Sequence, residues 1–364
     1  MRATSKTPGR DTTRRAANVI GLGLIGGSIA LALTERGWLV SGDDDDPARV
    51  EQALARGLIA TAGLDPDATI TFVATPVPVL GDQVKRALAD TTGLVTDVGS
   101  VKAAVVAAID DPRFVGGHPM AGSELDGLDG ADGSMFSGSV WVLTPASTTA
   151  DTTFSAVAAV VAELGADVVA IPADRHDLTV AVISHVPHLA AATLMGLASE
   201  RAEEHASLLR LAAGGFRDMT RIASGQPAIW LDICAQNRTA ILSALDGLIE
   251  GLQGMRGVVE SDDRDGLHRL LARARDARAN LPTRGTHPGD LAEVRIPIPD
   301  RPGAAAEVFT LAAELGVNIA SFEVVHSVEG ERGIAVLLVD ASKAEMYRGG
   351  LLARGYRPAV QRLS

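Results

Sequence analysis

The sequence predicts an α/β protein in three parts: a doubly wound, mostly parallel sheet, then an all-helical segment, then a small unit of strands and helices. Three observations support this. Over residues 16–173, short β-rich runs alternate with Ala-rich helical runs, as in a parallel sheet covered by helices. Over 174–283 the β alternation stops and apolar residues recur at helical spacing. Over 290–364 a strand–helix–strand–strand–helix–strand rhythm follows a run of turn formers.

The elements of the first part follow one another closely. Each predicted strand is a short run rich in β-branched or aromatic residues, and each predicted helix is longer and rich in alanine. We predict strands at 18–21, 38–41, 69–73, 94–97, 139–143 and 167–171, and helices at 26–36, 47–56, 76–89, 100–108 and 156–164.

The second part has the pattern of packed helices. Ile241, Leu245, Leu248 and Leu252 recur at helical spacing along one face. The apolar residues of this part exceed what one layer of helices can bury, and no other partner is evident. We therefore expect helices shared between two subunits of a homodimer.

The third part begins after a linker of turn formers, Leu-Pro-Thr-Arg-Gly-Thr-His-Pro-Gly-Asp, at 281–290. The six elements after it alternate in the order already given. We predict strands at 292–298, 318–327, 333–339 and 357–361, and helices at 303–315 and 342–354.

Composition excludes several classes of function. The 364 residues include 33 Lys and Arg against 45 Asp and Glu, a net charge of −12. An acidic chain is a poor partner for nucleic acid or an anionic membrane, and an anionic substrate would need local arginines. The single cysteine, Cys234, excludes an intrachain disulfide and fits a cytoplasmic location.

The N-terminus invites one false interpretation. Arg14 and Arg15 precede an apolar run at 19–33, an arrangement similar to a twin-arginine export signal. Cleavage after that run would remove glycines that serve another motif, so we do not expect export. No other stretch reaches ~18 uninterrupted apolar residues, and we therefore expect no membrane span.

A glycine-rich motif, Gly-Leu-Gly-Leu-Ile-Gly, follows the first predicted strand and opens a helix. Its first glycine permits a tight turn, the second lets a pyrophosphate approach the backbone, and the third allows close helix–strand packing. The helix N-terminus offers free N–H groups to the phosphates. This context predicts a Rossmann-type dinucleotide-binding domain whose phosphate-binding residues are Gly21, Gly23, Leu24, Ile25 and Gly26.

The end of the second strand predicts the choice of cofactor. Four consecutive aspartates begin at Asp43, about 20 residues after the glycines. A carboxylate there would bond the ribose hydroxyls and repel a 2′-phosphate, which favours NAD over NADP. Asp44 is our choice and Asp43 the alternative, while the other aspartates serve a solvated turn and a helix cap. Thr75 and Pro76 complete the predicted cofactor-binding residues.

Three further regions contain residues suited to chemistry. They read Thr-Asp-Val-Gly-Ser-Val-Lys at 96–102 and Gly-Gly-His-Pro-Met-Ala-Gly-Ser-Glu at 116–124. The third reads Ile-Ser-His-Val-Pro-His at 183–188, Gly-Gly-Phe-Arg-Asp-Met-Thr-Arg-Ile-Ala at 214–223 and Trp-Leu-Asp at 230–232. In order and spacing these motifs resemble the prephenate/arogenate dehydrogenase family, over nearly all of residues 18–280.

The resemblance implies an NAD-dependent oxidative decarboxylation of prephenate to 4-hydroxyphenylpyruvate and CO2 in tyrosine biosynthesis. Such a reaction needs a neutral acceptor for the hydroxyl proton, and histidine suits this role near neutral pH. By resemblance that acceptor is His118, in the glycine–histidine–proline motif. Ser100 is similar to the family serine that bonds this histidine, the substrate hydroxyl or the nicotinamide.

The resemblance also implies the residues that bind substrate. Arg221 matches an arginine that binds the side-chain carboxylate, for which a guanidinium offers two parallel hydrogen bonds. Arg217 is the local competitor for that role. His188 is expected to face the substrate, with His185 in a supporting position. Residues near the entrance or behind the substrate are expected to be Ser123, Glu124 and Asp218.

Other residues in these motifs receive structural interpretations. His185 and His188 have i,i+3 spacing that could bind a metal, but no third ligand is evident and the chemistry needs none. We therefore expect no metal. Trp230 and Asp232 are expected to pack and cap, and Lys102 is expected to be a surface lysine at a helix start.

The third part resembles an ACT domain, a small ferredoxin-like fold that often binds amino acids. The segment Pro-Asp-Arg-Pro-Gly at 299–303 and the segment Gly-Val-Asn-Ile-Ala at 316–320 carry the resemblance. Feedback inhibition by tyrosine is one interpretation, and a dimer-stabilising unit without ligand is the other. The candidate regulatory residues are Asp300, Gly303, Asn318 and Ile319.

Three alternatives stay open at this point. Arogenate dehydrogenase has the same chemistry and forms tyrosine directly. A different β-hydroxyacid dehydrogenase would be expected to use a lysine from the helical part, but no lysine lies between Leu178 and Leu281. A non-catalytic sensor of nucleotide and amino acid is disfavoured by the joint presence of His118, Ser100 and Arg221.

Overall fold

The computed structural model describes residues 15–122, 125, 127–204, 212–280, 291–299, 301, 303–326 and 332–362. The predicted site residues Ser123, Glu124 and Asp300, and the linker at 281–290, lie outside this part of the chain. The chain divides into two compact units, one ending at Gly257 and the other beginning at Val258. Each is described by itself.

The first unit begins with an α/β domain in which strands and helices alternate. Its strands are β1 (Ala16–Ile20), β2 (Leu39–Asp43), β3 (Thr61–Ala62), β4 (Ile70–Val73), β5 (Leu94–Asp97), β6 (Phe114–Pro119), β7 (Val140–Thr144) and β8 (Asp167–Ala170). Its helices are α1 (Leu24–Glu35), α2 (Pro47–Ala55), α3 (Val77–Asp90), α4 (Ala103–Ala107) and α5 (Asp151–Glu163).

The eight strands form one sheet in the order β3-β2-β1-β4-β5-β6-β7-β8. Every pairing is parallel except β6 with β7. The predicted doubly wound, mostly parallel sheet is therefore confirmed. In such a sheet the ligand crevice lies at the carboxyl ends of the strands, beside the point where the strand order reverses. Here the order reverses between β1 and β4, next to the glycine-rich motif.

Strand β6 is a correction to the sequence prediction, which placed no strand at 114–119. Two glycines and a proline lower the β-propensity of this segment. The backbone packs so closely that a Cβ at Gly117 would lie 2.6 Å from the Asp97 carbonyl oxygen, and one at Gly116 would lie 2.4 Å from Thr144 Oγ1. Tertiary packing, which tolerates only glycine at these positions, therefore forms the strand.

The rest of the first unit is helical, as predicted. It contains α6 (Ala173–Val180), α7 (Val186–Glu204), α8 (Gly214–Thr220), α9 (Pro227–Gln236) and α10 (Arg238–Glu260), the last continuing past Gly257. A π-helical turn, Ala181–His185, joins α6 to α7, and a 3-10 turn, Arg221–Ser224, follows α8. Pro187 has no N–H to donate to the preceding turn, and the π turn lies at the place where that hydrogen bond is missing.

The helices of this unit expose many large apolar side chains. Leu231 is 73% exposed, Val182 61% and Leu252 60%. The stretch Ala173–Glu200 is even long and apolar enough to cross a membrane by length and composition alone. The same stretch carries His176, Asp177 and His185 into the interior of the unit. Exposed apolar surface on this scale marks a face that meets another surface.

The second unit contains α11 (Arg264–Ala279), β9 (Leu291–Pro299), α12 (Ala304–Glu314), β10 (Ile319–His326), β11 (Arg332–Asp340), α13 (Ala344–Ala353) and β12 (Ala359–Arg362). After α11 its elements follow the predicted strand–helix–strand–strand–helix–strand order. The sheet is antiparallel in the order β10-β11-β9-β12. Side chains from α12 and α13, including Val308 and Tyr347, pack with Val294 and Leu337 of the sheet in one core.

Candidate active site

The glycine-rich loop between β1 and α1 has the geometry of a phosphate-binding turn. Gly21 has φ +90°, and a Cβ there would lie 2.5 Å from the Ala74 carbonyl oxygen. A Cβ at Gly26 would lie 1.8 Å from the Gly21 oxygen, so helix and strand approach too closely for any side chain. Open space surrounds the Cβ position of Gly23 at the helix N-terminus. Phosphate oxygens could reach the free N–H groups of Leu24 and Ile25 there.

Asp44 and Asp43 have different surroundings. The Asp44 side chain is almost buried, and its Oδ2 accepts a hydrogen bond of 2.6 Å from Leu22 N–H in the glycine-rich loop. Asp43 instead forms an ion pair of 2.8 Å with Arg86 of α3. Asp46 caps α2 by accepting from Ala48 N–H. Of the four aspartates, Asp44 is the one whose side chain is held against the dinucleotide loop.

Thr75 and Pro76 come after β4 and line the same crevice. The Thr75 nitrogen lies 3.1 Å from the Cβ position of Gly21. The Thr75 hydroxyl is buried and has no hydrogen-bond partner among the described residues. A buried hydroxyl without a partner is unfavourable, so this atom suits a polar group of a bound cofactor. The loop, the carboxylate and this hydroxyl together fit a dinucleotide.

His118, on β6, belongs to a chain of three hydrogen-bonded side chains. Its Nδ1 lies 2.8 Å from Nε2 of His176, and Nδ1 of His176 lies 2.8 Å from Oδ1 of Asp177. Asp177 also accepts from the backbone N–H groups of Lys102 at 2.8 Å and Ala103 at 2.9 Å. Burial raises the pKa of Asp177, but the hydrogen bonds from His176 and then from these N–H groups together outweigh it and hold the pKa below its ordinary value, so Asp177 is a carboxylate.

This chain assigns the protons on the two rings. A carboxylate only accepts, so a neutral His176 carries its proton on Nδ1 and presents Nε2 as an acceptor. Nδ1 of His118 must then donate to it, and a neutral His118 keeps the lone pair on Nε2. Burial, and then the proximity of His176, Lys102 and His185, holds the pKa of His118 well below its ordinary value. The His118 ring is therefore a neutral proton acceptor at neutral pH.

Ser100 lies in the loop between β5 and α4, partly buried. Its hydroxyl has no hydrogen-bond partner within the described part of the chain. The neighbouring Gly99 N–H is fixed at 2.9 Å by the Asp97 carboxylate. The structure therefore holds the Ser100 backbone while the hydroxyl remains able to bind a ligand.

A second group of side chains surrounds His188 on α7. The His188 ring stacks on Trp230 of α9, with ring centroids 3.5 Å apart and planes 12° apart. A Cβ at Gly225 would lie 3.4 Å from both rings, so the 3-10 turn that begins at Arg221 packs against them. Arg221 itself is exposed at the start of that turn. This arrangement brings Arg221 and His188 into one region of the helices.

Arg217 and His185 complete the predicted residues. Arg217 is exposed on α8 and donates from Nε to the Ala212 carbonyl at 3.2 Å. His185 is buried, and burial lowers its pKa to about 4. Its Nδ1 lies 3.2 Å from Nδ2 of Asn237, which also donates to the Asp177 carbonyl. His185 therefore has a supporting place between Asp177 and the Trp230 ring, whose centroid lies 6.1 Å away.

Sequence reasoning missed four residues of this site. The sequence gives no local indication of His176, Asp177 and Asn237, because their roles depend on partners that are distant along the chain. Lys102 was expected at the surface, and this was wrong: its side chain is fully buried, paired with Asp97. The sequence carries no local signal of this burial, because Lys102 is held by Asp97 across a turn and by Gly117 of another strand. No group of three metal-ligating side chains occurs in the described ranges, and none is needed to explain the histidines.

The structure combines a dinucleotide-binding loop at the carboxyl ends of the parallel strands with a neutral histidine that can accept a proton. This combination defines a nucleotide-dependent dehydrogenase. Residues 29–170 match the nucleotide-binding domain of prephenate dehydrogenase and residues 172–273 its dimerization domain. Prephenate dehydrogenase of Bacillus subtilis (strain 168) is 34% identical over 332 residues, 86% of this chain and 89% of that one. The chain belongs to the prephenate dehydrogenase family.

Solved structures resemble about three quarters of the chain. Arogenate dehydrogenase of Synechocystis is 30% identical with a TM-score of 0.64, covering 72% of this chain and 99% of that one. Prephenate dehydrogenase of A. aeolicus, in complex with hydroxyphenyl propionate and NAD+, is 26% identical with a TM-score of 0.69. That match covers 75% of this chain and 100% of the other.

Proposed function

We propose that the chain is an NAD-dependent prephenate dehydrogenase of tyrosine biosynthesis, which oxidises and decarboxylates prephenate to 4-hydroxyphenylpyruvate and CO2. One observation carries the proposal: the hydrogen bonds from Asp177 to His176 and from His176 to His118 leave Nε2 of His118 as a neutral acceptor. The reaction needs such an acceptor where the ring alcohol loses its proton. Family membership supplies the substrate class.

Bound at the glycine-rich loop, NAD would supply the acceptor for the hydride of the hydroxyl-bearing ring carbon. His118 Nε2 takes the hydroxyl proton as that carbon becomes a carbonyl. The bond to the ring carboxylate then breaks, CO2 leaves, and its electron pair makes the ring aromatic. The protonated His118 can return its proton to the new phenolic oxygen, and the Ser100 hydroxyl can bond the same oxygen. The carboxylate of Asp177 stabilises the positive charge that the two rings share in between.

Arg221 is the residue that we propose to bind the side-chain carboxylate of the substrate, with Arg217 as a second cation nearby. His188, held flat against Trp230, presents one ring edge to the same region. The ring carboxylate should be held more weakly, because stabilising it would oppose its departure. These local cations matter because the whole chain carries a net charge of −12.

The cofactor preference is assigned to Asp44. Its carboxylate, held by Leu22 N–H, would bond the ribose hydroxyls of NAD and repel the 2′-phosphate of NADP. The phosphates would contact the first turn of α1, which begins at Leu24. The Thr75 hydroxyl, in the loop after β4, would form a hydrogen bond with the cofactor.

The decisive assay measures NADH formation with prephenate as substrate. We expect turnover by the wild type, and a His118→Asn variant that loses turnover while NAD binding, followed by calorimetry, is retained. Asn keeps a hydrogen-bonding side chain but has no basic nitrogen. Undiminished turnover in this variant would mean that another group accepts the proton.

Arogenate is the alternative substrate, and a relative with that activity is among the similar structures. It differs from prephenate by an amino group on the side chain, so a carboxylate near Arg221 would favour it. Glu124 is a predicted entrance residue of the right charge. Comparing kcat/KM for both substrates at equal NAD distinguishes the two activities.

The helical part is proposed to form a homodimer. Leu231 and Leu252 are large, apolar and more than half exposed in the single chain. A second copy would cover such a face, and the matched family domain is described as a dimerization domain. Light scattering should give twice the mass of 37.6 kDa. The single cysteine accords with a cytoplasmic enzyme.

Residues 290–364, within the second unit, are proposed to form an ACT domain that binds tyrosine as a feedback inhibitor. Its support is the strand order and Gly303, which has φ +88° at the turn before α12 and exposes backbone groups there. Asn318 and Ile319 lie at the start of β10, and Asp300 precedes the turn in sequence. Titrating tyrosine by calorimetry and in the activity assay tests this: neither binding nor inhibition would leave a purely structural unit.

A further inference from the structure

Lys102 and Asp97 form an ion pair in the interior of the first unit, and the mechanism above does not use it. Both side chains are completely buried. The Lys102 ammonium contacts Asp97 Oδ2 and donates a second hydrogen bond of 2.9 Å to the Gly117 carbonyl oxygen. A buried ion pair is seldom worth its desolvation for stability alone, so a role in holding specific groups must be considered.

The pair holds both polar backbone groups of Gly117. Asp97 Oδ1 accepts from the Gly117 N–H at 3.2 Å, and Lys102 donates to the Gly117 carbonyl. Gly117 directly precedes His118 on β6. The backbone that aims the His118 ring is therefore fixed from two sides by opposite charges.

The same two residues hold the other parts of the site. Asp97 Oδ2 accepts from Gly99 N–H, next to Ser100. The backbone N–H of Lys102 donates to Asp177 Oδ1 at 2.8 Å, the atom that also binds His176. The ion pair thus connects the serine loop to the histidine strand, and the backbone N–H of Lys102, not its ammonium, holds the carboxylate that orients the histidine pair.

We propose that Lys102 is a positioning residue: paired with Asp97, it fixes Gly117 so that His118 presents Nε2 to the substrate hydroxyl. This inference rests on the proposed function, since it concerns the same reaction. The opposing explanation is that the pair serves only the packing of β5 against β6. Misplacing a reacting group by about 1 Å can lower a rate about 100-fold, so the two explanations predict different kinetics.

The charges around His118 give a second, independent readout. After burial and His176, the Lys102 charge is among the causes that lower the pKa of His118. Removing that charge should raise the pKa and move the acid limb of the pH profile to higher pH. The charged and titratable groups that face His118 in the described structure are Asp97, Lys102, His176, Asp177 and His185.

The first test is Lys102→Met, which keeps the length of the side chain but removes its charge and its donor. We expect kcat to fall about 100-fold, with the KM for prephenate and the Kd for NAD little changed. The acid limb should shift to higher pH. Lys85→Met, at an exposed lysine of α3, is the matched control and should behave as the wild type.

The double variant Asp97→Asn/Lys102→Met is measured in parallel, because the single variant leaves a buried charge without its partner and can fail to fold. Neutral replacement of both partners is tolerated far better than removal of one. We expect this variant to fold, by circular dichroism and Tm, and to retain a low kcat because nothing holds the Gly117 carbonyl. A folded variant, single or double, with wild-type kcat and pH profile overturns the proposal.

A measurement without substrate separates this proposal from the proposed function. Nitrogen-15 NMR of labelled histidines follows the titration of His118 in the wild type and in the folded variant. If the wild type does not turn over prephenate, the proposed function fails, and the NMR titration alone decides the role of Lys102. A raised pKa of His118 in the variant supports that role, and an unchanged titration overturns it.

Discussion

Replacing Asp177 by asparagine tests the assignment of protons in the His118–His176–Asp177 chain. Asp177 accepts three hydrogen bonds, from His176, Lys102 N–H and Ala103 N–H. An asparagine has one oxygen and an NH2 group, so in either orientation its NH2 faces at least one of these donors. If the NH2 faces His176, the proton on that ring moves to Nε2. Nδ1 of His118 then becomes an acceptor, and its Nε2 carries the proton instead of the lone pair.

The size of the effect follows from this geometry. In a Ser–His–Asp triad the same exchange stabilises the wrong tautomer and lowers kcat by about 10⁴-fold. Here the asparagine can also turn its oxygen to His176 and leave Ala103 N–H facing the NH2, at a loss of about 1–3 kcal/mol. In that orientation the tautomer is kept, but the carboxylate charge that stabilises the protonated rings is lost, so we expect kcat to fall by about 10²- to 10⁴-fold across the two states.

The assay is NADH formation with saturating prephenate, accompanied by calorimetry of NAD binding. Asp174→Asn is the matched control, because Asp174 is exposed on the same helix, α6. The control should match the wild type, and Asp177→Asn should keep its affinity for NAD. If Asp177→Asn retains a kcat close to that of the wild type, the proposed order of protons is wrong.

Three further predictions concern the same unit. Gly117→Ala would place a Cβ 2.6 Å from the Asp97 carbonyl oxygen, so we expect a lower Tm and little activity. A variant as stable and active as the wild type would contradict the packing of β6. His118 works as a neutral acceptor, and its pKa lies well below the ordinary 6.5, so activity is present above this pKa and is lost only as the pH falls through it. We therefore expect kcat/KM to be constant down to pH 6.5 and to decline below. A decline that begins above pH 7 would refute the direction of the pKa shift. Asp44→Ala removes the carboxylate from the dinucleotide loop, so the KM for NAD should rise about 10-fold while NADP becomes a better substrate than before. If the ratio of kcat/KM for NAD to kcat/KM for NADP does not change, Asp44 does not select the cofactor.

The parts of the fold that the sequence predicts best are those governed by local rules. The glycine-rich loop needs only short-range geometry, and Gly21 and Gly26 lie where any side chain would clash. Strands such as β4 and β5 are short, almost fully buried runs that consist mostly of apolar and β-branched residues, as expected for a parallel sheet covered on both faces. Strand β6 was missed because its Gly-Gly-His-Pro segment forms a strand only through contact with its neighbours.

The candidate site is predictable only in part, for a related reason. His118 is identifiable by its motif, but His176, which orients it, is 58 residues away along the chain. No local pattern distinguishes a buried Lys102 from a surface lysine, because burial depends on the Asp97 carboxylate across a turn and on Gly117 from a third element. Side chains that act through partners distant in sequence become evident only in three dimensions.

The π-helical turn at Ala181–His185 has a consequence for how this chain tolerates length changes. A π turn accommodates one residue more than an α-helical turn, and each residue of a helix advances the direction of the following side chains by about 100°. Deleting the exposed Val182 would allow a continuous α-helix from α6 into α7. Because the π turn already absorbs the extra residue, His188 would keep nearly its present direction towards the Trp230 ring, whereas a deletion elsewhere in these helices would rotate the following side chains by about 100°.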